Sequence, residues 1–283
     1  MSIVEIVMRL AVVFILGTFA GSFAACVVAR LETKRDWVKG RSECDHCHKQ
    51  LAAFDLIPII SWCCLRGKCR YCKKPIGWFP LLSELTLGVL FALSTVAFAA
   101  NLAIPLDDLF LFQDFGRSAM LVIWFMVLTL FAVLAVYDQR HHILPNVIVY
   151  PLIILAAIYA VVGHFALAGE FSWLDILRSF LPLAALYAAL WLFSAGRAIG
   201  LGDVKLCVAL SLLSGHWIIA GFILFIANLL ATLAVLPKLI RKRTHLNSQM
   251  PFGPHLIASA VLVILSISLI RAWALYVFAL PIM

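Results

Sequence analysis

Two aspartates occupy matching positions at the ends of long apolar segments. Asp138 directly follows one such segment, and Asp203 precedes another, where it closes a Gly-x-Gly-Asp motif with Gly200 and Gly202. A carboxylate at a membrane boundary is unfavourable unless it faces protein or a water-filled cavity, so such acids are candidates for function. Both aspartates are expected on the same side of a membrane, which makes them candidates for shared chemistry.

Two carboxylates within a few ångströms of each other cannot both ionise readily, so the pair holds one proton between its members. Aspartic proteolysis uses this state. The ionised acid takes a proton from the water that attacks the scissile carbonyl, and the protonated acid hydrogen-bonds the carbonyl oxygen. Gly200 and Gly202 would let the backbone bend and approach a peptide closely. The structural alternative is that Asp138 and Asp203 only end helices, with Asp203 as an N-cap.

Lys205 lies two residues after Asp203. We include it in the predicted substrate site, where its ammonium either stabilises a charged carboxylate or contacts lipid phosphate. The residues alone leave both interpretations open.

Four cysteines form two pairs, Cys44-x-x-Cys47 and Cys69-x-x-Cys72, with 21 residues between the pairs. Two such pairs can supply four thiolates at about 2.3 Å around a tetrahedral zinc ion. Four cysteine ligands leave no coordination position open, so we predict a structural zinc site. Disulfides and free thiols are the alternatives, but disulfides suit an oxidising compartment.

Other sulfur and imidazole groups near these pairs lack the same spacing. Cys63 and Cys64 lie in the apolar stretch between the pairs and are expected to pack in a core or to contact the membrane. His46 and His48 flank the first pair, where they are either substitute ligands or solvated surface residues.

The amino-acid composition indicates whether these residues belong to a water-soluble protein or to a membrane protein. Of 283 residues, 64% are apolar and 13% are charged, against roughly half and about a quarter in an average soluble domain. Apolar runs that can cross about 30 Å of hydrocarbon recur along the chain. We therefore predict an all-α polytopic membrane protein with eight transmembrane helices. They are expected near residues 4–29, 80–104, 118–137, 147–166, 177–195, 204–216, 218–237 and 255–276.

Basic residues orient these helices, because positively charged loops tend to remain cytoplasmic. The loop 30–79 holds 11 of the 22 lysines and arginines, so it is predicted to be cytoplasmic. The acidic loops 105–117 and 167–176 are expected outside, whereas 138–146, 196–205 and 238–254 are expected in the cytoplasm. The net charge of +8 then reflects topology and lipid contact rather than nucleic-acid binding.

The chain resembles the type IV prepilin peptidases, bacterial inner-membrane aspartyl proteases of the Gly-x-Gly-Asp group. The resemblance joins several motifs, in order, across most of the chain. The motifs are Gly21-Ser22-Phe23, Gly40-Arg41-Ser42-x-Cys44-x-x-Cys47, Asp55-Leu56-Ile57-Pro58-x-x-Ser61-Trp62, Leu65-Arg66-Gly67-Lys68-Cys69-Arg70-x-Cys72-x-x-Pro75-Ile76, Pro80, Glu84-Leu85, Asp138, Leu144-Pro145, Gly200 to Lys205, and Pro251-Phe252-Gly253-Pro254.

The resemblance implies a membrane endopeptidase that removes the basic leader of a prepilin or pseudopilin at the cytoplasmic boundary of the inner membrane. Asp138 and Asp203 would be the catalytic residues. The domains would be a first helix at 1–29, a cytoplasmic four-cysteine zinc loop at 30–79, and a membrane-embedded peptidase region with seven further helices at 80–283. The resemblance leaves open which prepilin is cut, whether the system serves pili, secretion or DNA uptake, and the oligomeric state.

Many members of the family also methylate the new N-terminus with S-adenosylmethionine, so a second, methyltransferase activity is a further expectation. Here the sequence departs from the family. Ala24 and Ala25 replace the usual Leu-Asn, Glu32 replaces the Pro of Arg-Leu-Pro, and Asn146 replaces an Asp after Pro145. The first two departures put methylation in question, and the third keeps the turn and capping chemistry of the position.

Two functions from other classes fit parts of the pattern. Intramembrane carboxylates also mark the ion paths of transporters and channels, and an inert scaffold for pilus or secretion assembly could carry the same zinc module. The location of both aspartates at one boundary disfavours the transporter or channel. The intact pair of acids disfavours the scaffold.

Overall fold

The computed structural model describes residues 3–33, 36, 40–44, 46–101, 115–166, 173–197, 199–240 and 251–267. Within these ranges it contains ten α-helices, a 3₁₀ turn at Ala53–Leu56 and a π-helical turn at Leu181–Ala185. The helices are α1 (Ile3–Glu32), α2 (Ile60–Cys64), α3 (Phe79–Asn101), α4 (Phe115–His141), α5 (Asn146–Ala166), α6 (Trp173–Ser179), α7 (Leu186–Ser194), α8 (Leu201–Ser214), α9 (Trp217–Ile240) and α10 (Gly253–Leu265).

Six segments are long and apolar enough to cross a membrane, and all six match predicted spans. They are Val4–Glu32, Phe79–Ala99, Phe115–His141, Asn146–Ala166, Ile176–Ser194 and Trp217–Leu236. The described residues form no β-strand, only two isolated bridges. The prediction of an all-α polytopic membrane protein is confirmed.

The other two predicted spans correspond to shorter helices. α8 has 14 residues, which is about 21 Å of helix and less than the bilayer core. α10 has 13 residues, and the predicted span 255–276 continues past the described part of the chain. The count of eight spans therefore stays a prediction.

The predicted orientation depends largely on residues outside the described ranges. The loops 105–117, 167–176 and 238–254 fall mostly in the gaps at 102–114, 167–172 and 241–250. Sidedness therefore also stays a prediction.

The chain divides into two compact units. The first comprises residues 1–96 with 128–133, and the second comprises 97–127 with 134–283. The cysteine pairs lie in the first unit, and both candidate aspartates lie in the second. The domain boundaries predicted at 29/30 and 79/80 stay predictions.

In the first unit, α1 and α3 pack through residues without side chains. A Cβ on Gly17 would lie 2.6 Å from the Leu87 carbonyl oxygen, and a Cβ on Gly21 would lie 2.5 Å from the Glu84 Cα. The Ser83 hydroxyl donates a hydrogen bond to the Gly21 carbonyl oxygen, 2.8 Å away. Small residues let helix backbones approach closely in membranes, where van der Waals packing drives association.

In the second unit, α8 lies at the centre. It packs against α5, α6, α7, α9 and α10 as well as the π-helical turn, and half of its residues are buried. Gly200 caps its start, and Gly215, with a φ of 64°, ends it. Glycine adopts this left-handed conformation without a steric penalty and commonly ends helices. α8 therefore presents Asp203 from a firmly packed support.

The π-helical turn has an identifiable cause. Pro182 has no N–H to donate and its ring crowds the preceding turn, so the regular hydrogen-bond ladder cannot run through it. The Ala185 N–H bonds to the Phe180 carbonyl oxygen, five residues back, at 2.7 Å. Ser179 then donates to the Ser211 carbonyl oxygen at 2.8 Å, which ties this region to α8.

The contact between α1 and α3 can be tested by adding one methyl group. Gly21→Ala should lower the stability by about 1–3 kcal/mol, because the new Cβ meets backbone atoms of α3 that cannot turn aside. The measurement is thermal unfolding in detergent micelles. Gly221→Ala is the matched control, since a Cβ there meets nothing within 4 Å. Equal melting temperatures for the two variants would contradict the described packing.

Candidate active site and metal centre

Asp138 lies in the last turn of α4, and its side chain is only 5% exposed. Its Oδ2 accepts a hydrogen bond from the Gly253 N–H, at an N···O distance of 3.1 Å. Gly253 is the first residue of α10 and Pro254 follows it. The N–H groups of a first helical turn have no partner within the helix, so they are natural donors to an anion. The backbone of α10 thus holds the Asp138 carboxylate.

α4 ends directly after Asp138. His142 adopts a φ of 54°, and its N–H bonds to the Asp138 carbonyl oxygen at 2.8 Å. A left-handed residue of this kind commonly terminates a helix. The chain then turns through Leu144 and Pro145 into α5, so this turn remains beside the acid.

Asp203 is the third residue of α8, and Gly200, rather than Asp203, is the N-cap. The carboxylate reaches back to the Gly200 backbone, as in a capping arrangement. Burial, and then the negative charge of Asp138, raise the pKa of Asp203 to about 6, whereas the Gly200 hydrogen bond acts in the opposite direction. The two predicted acids therefore interact electrostatically, as a proton-sharing pair must.

Leu144 packs between the start of α8, which carries Asp203, and the start of α10, which binds Asp138. Its Cβ would lie 3.1 Å from a Cβ added to Gly202, and its Cδ2 would lie 3.5 Å from one added to Gly253. Neither Gly200 nor Gly202 has a positive φ. A Cβ on Gly200 would meet only the Asp203 carboxylate at 3.6 Å, so the close fit concerns Gly202 and Gly253.

The Lys205 ammonium contacts two residues of α5 and not a carboxylate. Its Nζ donates to the Asn146 Oδ1 at 2.8 Å and to the Tyr150 hydroxyl at 3.3 Å, and it lies 5.1 Å from the centre of the Tyr150 ring. Lys205 is not among the groups that shift the pKa of Asp203. It therefore links α8 to the first turns of α5, and Asn146, at the position of the family's usual Asp, supplies the acceptor.

Two histidines lie near the first acid. His142 and His255 both interact electrostatically with Asp138, and the His255 ring contacts the Pro251 carbonyl oxygen at 3.2 Å. His141 instead packs against Tyr137, with ring centres 4.5 Å apart.

Sequence reasoning did not connect Gly253 or Leu144 with the acids, and it gave Asn146 only a turn and capping role. Each belongs to a motif that was visible in the sequence, namely Pro251-Phe252-Gly253-Pro254, Leu144-Pro145 or the residue after Pro145. A motif shows that a residue matters, but it does not show which atom donates to a carboxylate 115 residues earlier.

All four predicted cysteine ligands meet in the first unit. The sulfur atoms of Cys44, Cys47, Cys69 and Cys72 all lie within 4.8 Å of one another. The Cys44 and Cys72 sulfurs are 3.8 Å apart, which is the separation of about 3.8 Å expected between ligands of a tetrahedral zinc with 2.3 Å bonds. A disulfide would need about 2.05 Å. The four thiols therefore fit a metal ion.

The two cysteine pairs have the same backbone structure. The Cys44 N–H bonds to the Lys49 carbonyl oxygen, and the Cys69 N–H bonds to the Lys74 carbonyl oxygen, at 3.0 and 2.9 Å. His48 and Lys73, at equivalent positions, both have positive φ values. An isolated β-bridge closes each loop. Each pair is thus a preformed turn that directs two sulfurs toward one point.

The thiols differ in their readiness to ionise. Burial raises the pKa of the Cys44 thiol to about 11, whereas hydrogen bonding to the Cys72 backbone lowers the pKa of the Cys69 thiol to about 7. A bound cation would favour the thiolate form of all four ligands. His46 and His48 do not belong to the cluster, and the His48 ring instead lies 3.5 Å from the Glu43 carboxylate.

Comparison with known proteins places both sites in one family. The bacterial peptidase A24 N-terminal domain matches residues 15–98, and the type IV leader peptidase family matches residues 120–236. A prepilin leader peptidase/N-methyltransferase of Dickeya chrysanthemi is 30% identical over 88% of this chain and 89% of its own length. The chain belongs to the type IV leader peptidase family.

Other relatives have the same printed name. The prepilin leader peptidase/N-methyltransferase of Aeromonas hydrophila is 28% identical over 93% of this chain and 92% of its own length. The prepilin leader peptidase/N-methyltransferase of Stutzerimonas stutzeri is 27% identical over 86% of this chain and 85% of its own length. No solved structure matches the chain.

Family membership confirms the resemblance drawn from the sequence, and with it the expectation of a peptidase. It does not favour the transporter, channel or scaffold. Asp138 and Asp203 fall within the leader peptidase match, and the four cysteines fall within the N-terminal domain match. Gly253 lies after both matched regions, although it binds Asp138.

The metal centre can be tested with two cysteine variants. Cys69→Ser should abolish stoichiometric metal binding, because three thiols with one hydroxyl are a much weaker zinc site. Cys64→Ser is the matched control, since this exposed cysteine lies outside the cluster, and it should retain the metal. The measurement is elemental analysis of the purified full-length protein. Equal metal content in both variants would show that the four thiols are not the ligands.

Proposed function

We propose that this chain is an aspartyl endopeptidase that removes the leader peptide of a type IV prepilin or pseudopilin, with Asp138 and Asp203 as its catalytic residues. The observation that carries the proposal is the pairing of these two acids in the second unit, inside the region that matches the leader peptidase family. The relatives named prepilin leader peptidase/N-methyltransferase supply the substrate class.

The proposed chemistry uses one proton shared by the pair. The ionised acid takes a proton from a water molecule, whose oxygen adds to the scissile carbonyl. The protonated acid donates a hydrogen bond to the carbonyl oxygen, and collapse of the adduct breaks the C–N bond as the departing amine receives a proton. The Gly253 N–H would keep Asp138 oriented throughout, because α10 holds this donor in place.

Gly200, Gly202 and Lys205 would support the substrate site. Gly202 allows the close packing of Leu144, which also lies beside Gly253, so this side chain would help to set the distance between the starts of α8 and α10. Lys205 fixes the start of α8 to α5 through Asn146 and Tyr150. Both effects orient Asp203 without requiring contact with the peptide.

The proposed location is the inner membrane of a bacterium, with both acids and the cysteine module on the cytoplasmic side. Support comes from the six apolar segments, from the family, and from the basic residues of the loop 30–79. A prepilin would enter as a membrane helix with its basic leader in the cytoplasm, so that the cleavage point meets the acids at the boundary.

The proposed metal is zinc, held by Cys44, Cys47, Cys69 and Cys72 in a structural role. A site with four thiolates has no position for a substrate or water. Zinc would supply folding free energy to a loop whose described residues include few buried apolar side chains.

N-methylation of the new terminus with S-adenosylmethionine is a separate part of the proposal, since the relatives are also named N-methyltransferases. Ala25, where the family resemblance expects Asn, is buried in α1. A buried methyl group cannot replace the hydrogen bonds of an amide. Cleavage and methylation should therefore be measured separately in the same product.

The catalytic assignment predicts that Asp138→Asn and Asp203→Asn each lower the cleavage rate by at least about 100-fold, since each removes an acid or base from the reaction. The assay follows a prepilin with the full-length protein in liposomes, and mass spectrometry reads the new N-terminus and any added methyl group. Asp36→Asn, which changes an exposed loop acid, should cleave normally. Retained cleavage in Asp138→Asn or Asp203→Asn would refute the assignment of that residue, whereas no cleavage by the intact protein would refute the proposed function.

The hydrogen bond from the Gly253 N–H to Asp138 leads to a second prediction about activity. A Cβ on Gly253 would lie 2.7 Å from the Asp138 Oδ2, so Gly253→Ala should break the hydrogen bond. Loss of a hydrogen bond to a charged group, worth about 1.5–3 kcal/mol, corresponds to a decrease in kcat of about 10- to 100-fold. Gly221→Ala is again the control. A normal kcat for Gly253→Ala in folded protein would show that Asp138 does not depend on this donor.

A further inference from the structure

The short helix α2 exposes a face made only of apolar side chains. Ile60, Cys63 and Cys64 are all exposed, and residues three and four apart share one side of a helix. Two large side chains flank this helix in the sequence. They are Phe54, which is 75% exposed, and Trp78, which is 66% exposed. We call these five residues the α2 face. In water, such a group of exposed apolar side chains would be unfavourable.

The buried carboxylate of Glu84 shows how far along the membrane span of α3 the start of α2 lies. Glu84, only 6% exposed, accepts a hydrogen bond from the Ile59 N–H at 2.7 Å. Glu84 lies five residues past Phe79, where α3 begins, which is about 7.5 Å along the helix axis. Since Phe79–Ala99 is a candidate membrane span, Ile59 lies beside the span and not beyond its end.

A pair of tryptophans places the rest of α2 at a similar depth. The rings of Trp62 and Trp78 have centres 4.7 Å apart, and the Trp62 indole N–H donates to the Gly77 carbonyl oxygen at 2.9 Å. Trp78 directly precedes Phe79, so it lies at the edge of the span by connectivity. Tryptophan is enriched at this level of membrane proteins.

The backbone before α2 has a conformation that needs an external acceptor. Ile59 has a φ of 62° and a ψ of −53°, and the Ile60 N–H bonds to the Pro58 carbonyl oxygen, which makes a γ-turn of the rare, strained kind. This turn leaves the Ile59 N–H outside α2. A backbone donor without a partner is costly near hydrocarbon, and Glu84 supplies the acceptor.

We propose that the α2 face is inserted into the lipid bilayer that α1 and α3 cross, and that lipid is its occupant. The five side chains lie among the headgroups and upper acyl chains. Arg66 and Lys68, which follow α2 and are exposed, face the headgroup phosphates, where basic residues are attracted to anionic lipid. The module with the four cysteines is thereby anchored to the membrane surface. This inference depends on the membrane location and not on the cleavage reaction.

Native cysteines on the α2 face allow a direct test. The full-length, metal-loaded protein is placed in nanodiscs of phosphatidylethanolamine and phosphatidylglycerol and treated with a charged, water-soluble maleimide or with a lipid-soluble one. Peptide mass spectrometry follows Cys63 and Cys64. Arg197→Cys, at an exposed position outside the helices, is the aqueous reference, and retention of the bound metal shows that the cysteine module is folded.

Cys63 and Cys64 should react with the charged reagent about tenfold or more slowly than Cys at position 197, because burial of one large apolar side chain alone favours the inserted state by that factor. The lipid-soluble reagent should reverse the order. Equal reaction with the charged reagent would overturn the proposal. Protection that appears only after a prepilin is added would also overturn it, because the occupant would then be the substrate.

Discussion

Two carboxyl groups must remain close together where burial limits screening by water, and the second unit is organised around this constraint. Asp203 occupies the first turn of α8, and Asp138 accepts the first N–H of α10. The N-terminus of a helix carries partial positive charge and unpaired donors. The protein thus offsets the repulsion of the pair with two helix N-termini.

The first unit must hold its cysteine module in place by other means than a hydrophobic core, because few of the module's described apolar side chains are buried. Two turns of identical backbone design each present two sulfurs, and the α1–α3 contact through Gly17 and Gly21 provides a rigid base. Glu84 belongs to both arrangements, since its backbone packs on Gly21 and its side chain holds Ile59. A single position in α3 therefore joins helix packing to the geometry of the loop.

Much of this could be predicted from local patterns. The spacing of the cysteine pairs identified the four cysteines that meet in one cluster, and the apolar runs matched six candidate membrane segments. The sequence also predicted that Asp138 and Asp203 act as a pair, because both acids border apolar runs at one boundary, and their catalytic role stays a prediction. The Gly253 donor and the Asn146 partner of Lys205 were not predictable, since they depend on how α10 and α5 pack beside α8 and no local pattern records tertiary packing.

The length of α8 has a consequence for how a hydrolase works inside a bilayer. A helix of about 21 Å leaves roughly 9 Å of a 30 Å hydrocarbon layer without helix. A helix of this length cannot place both of its ends at the surfaces of an undisturbed bilayer. Hydrolysis consumes one water molecule for each bond cut, so the proposed reaction requires water to reach Asp203 in the first turn of this helix. A span shorter than the hydrocarbon layer would shorten the path that this water must take.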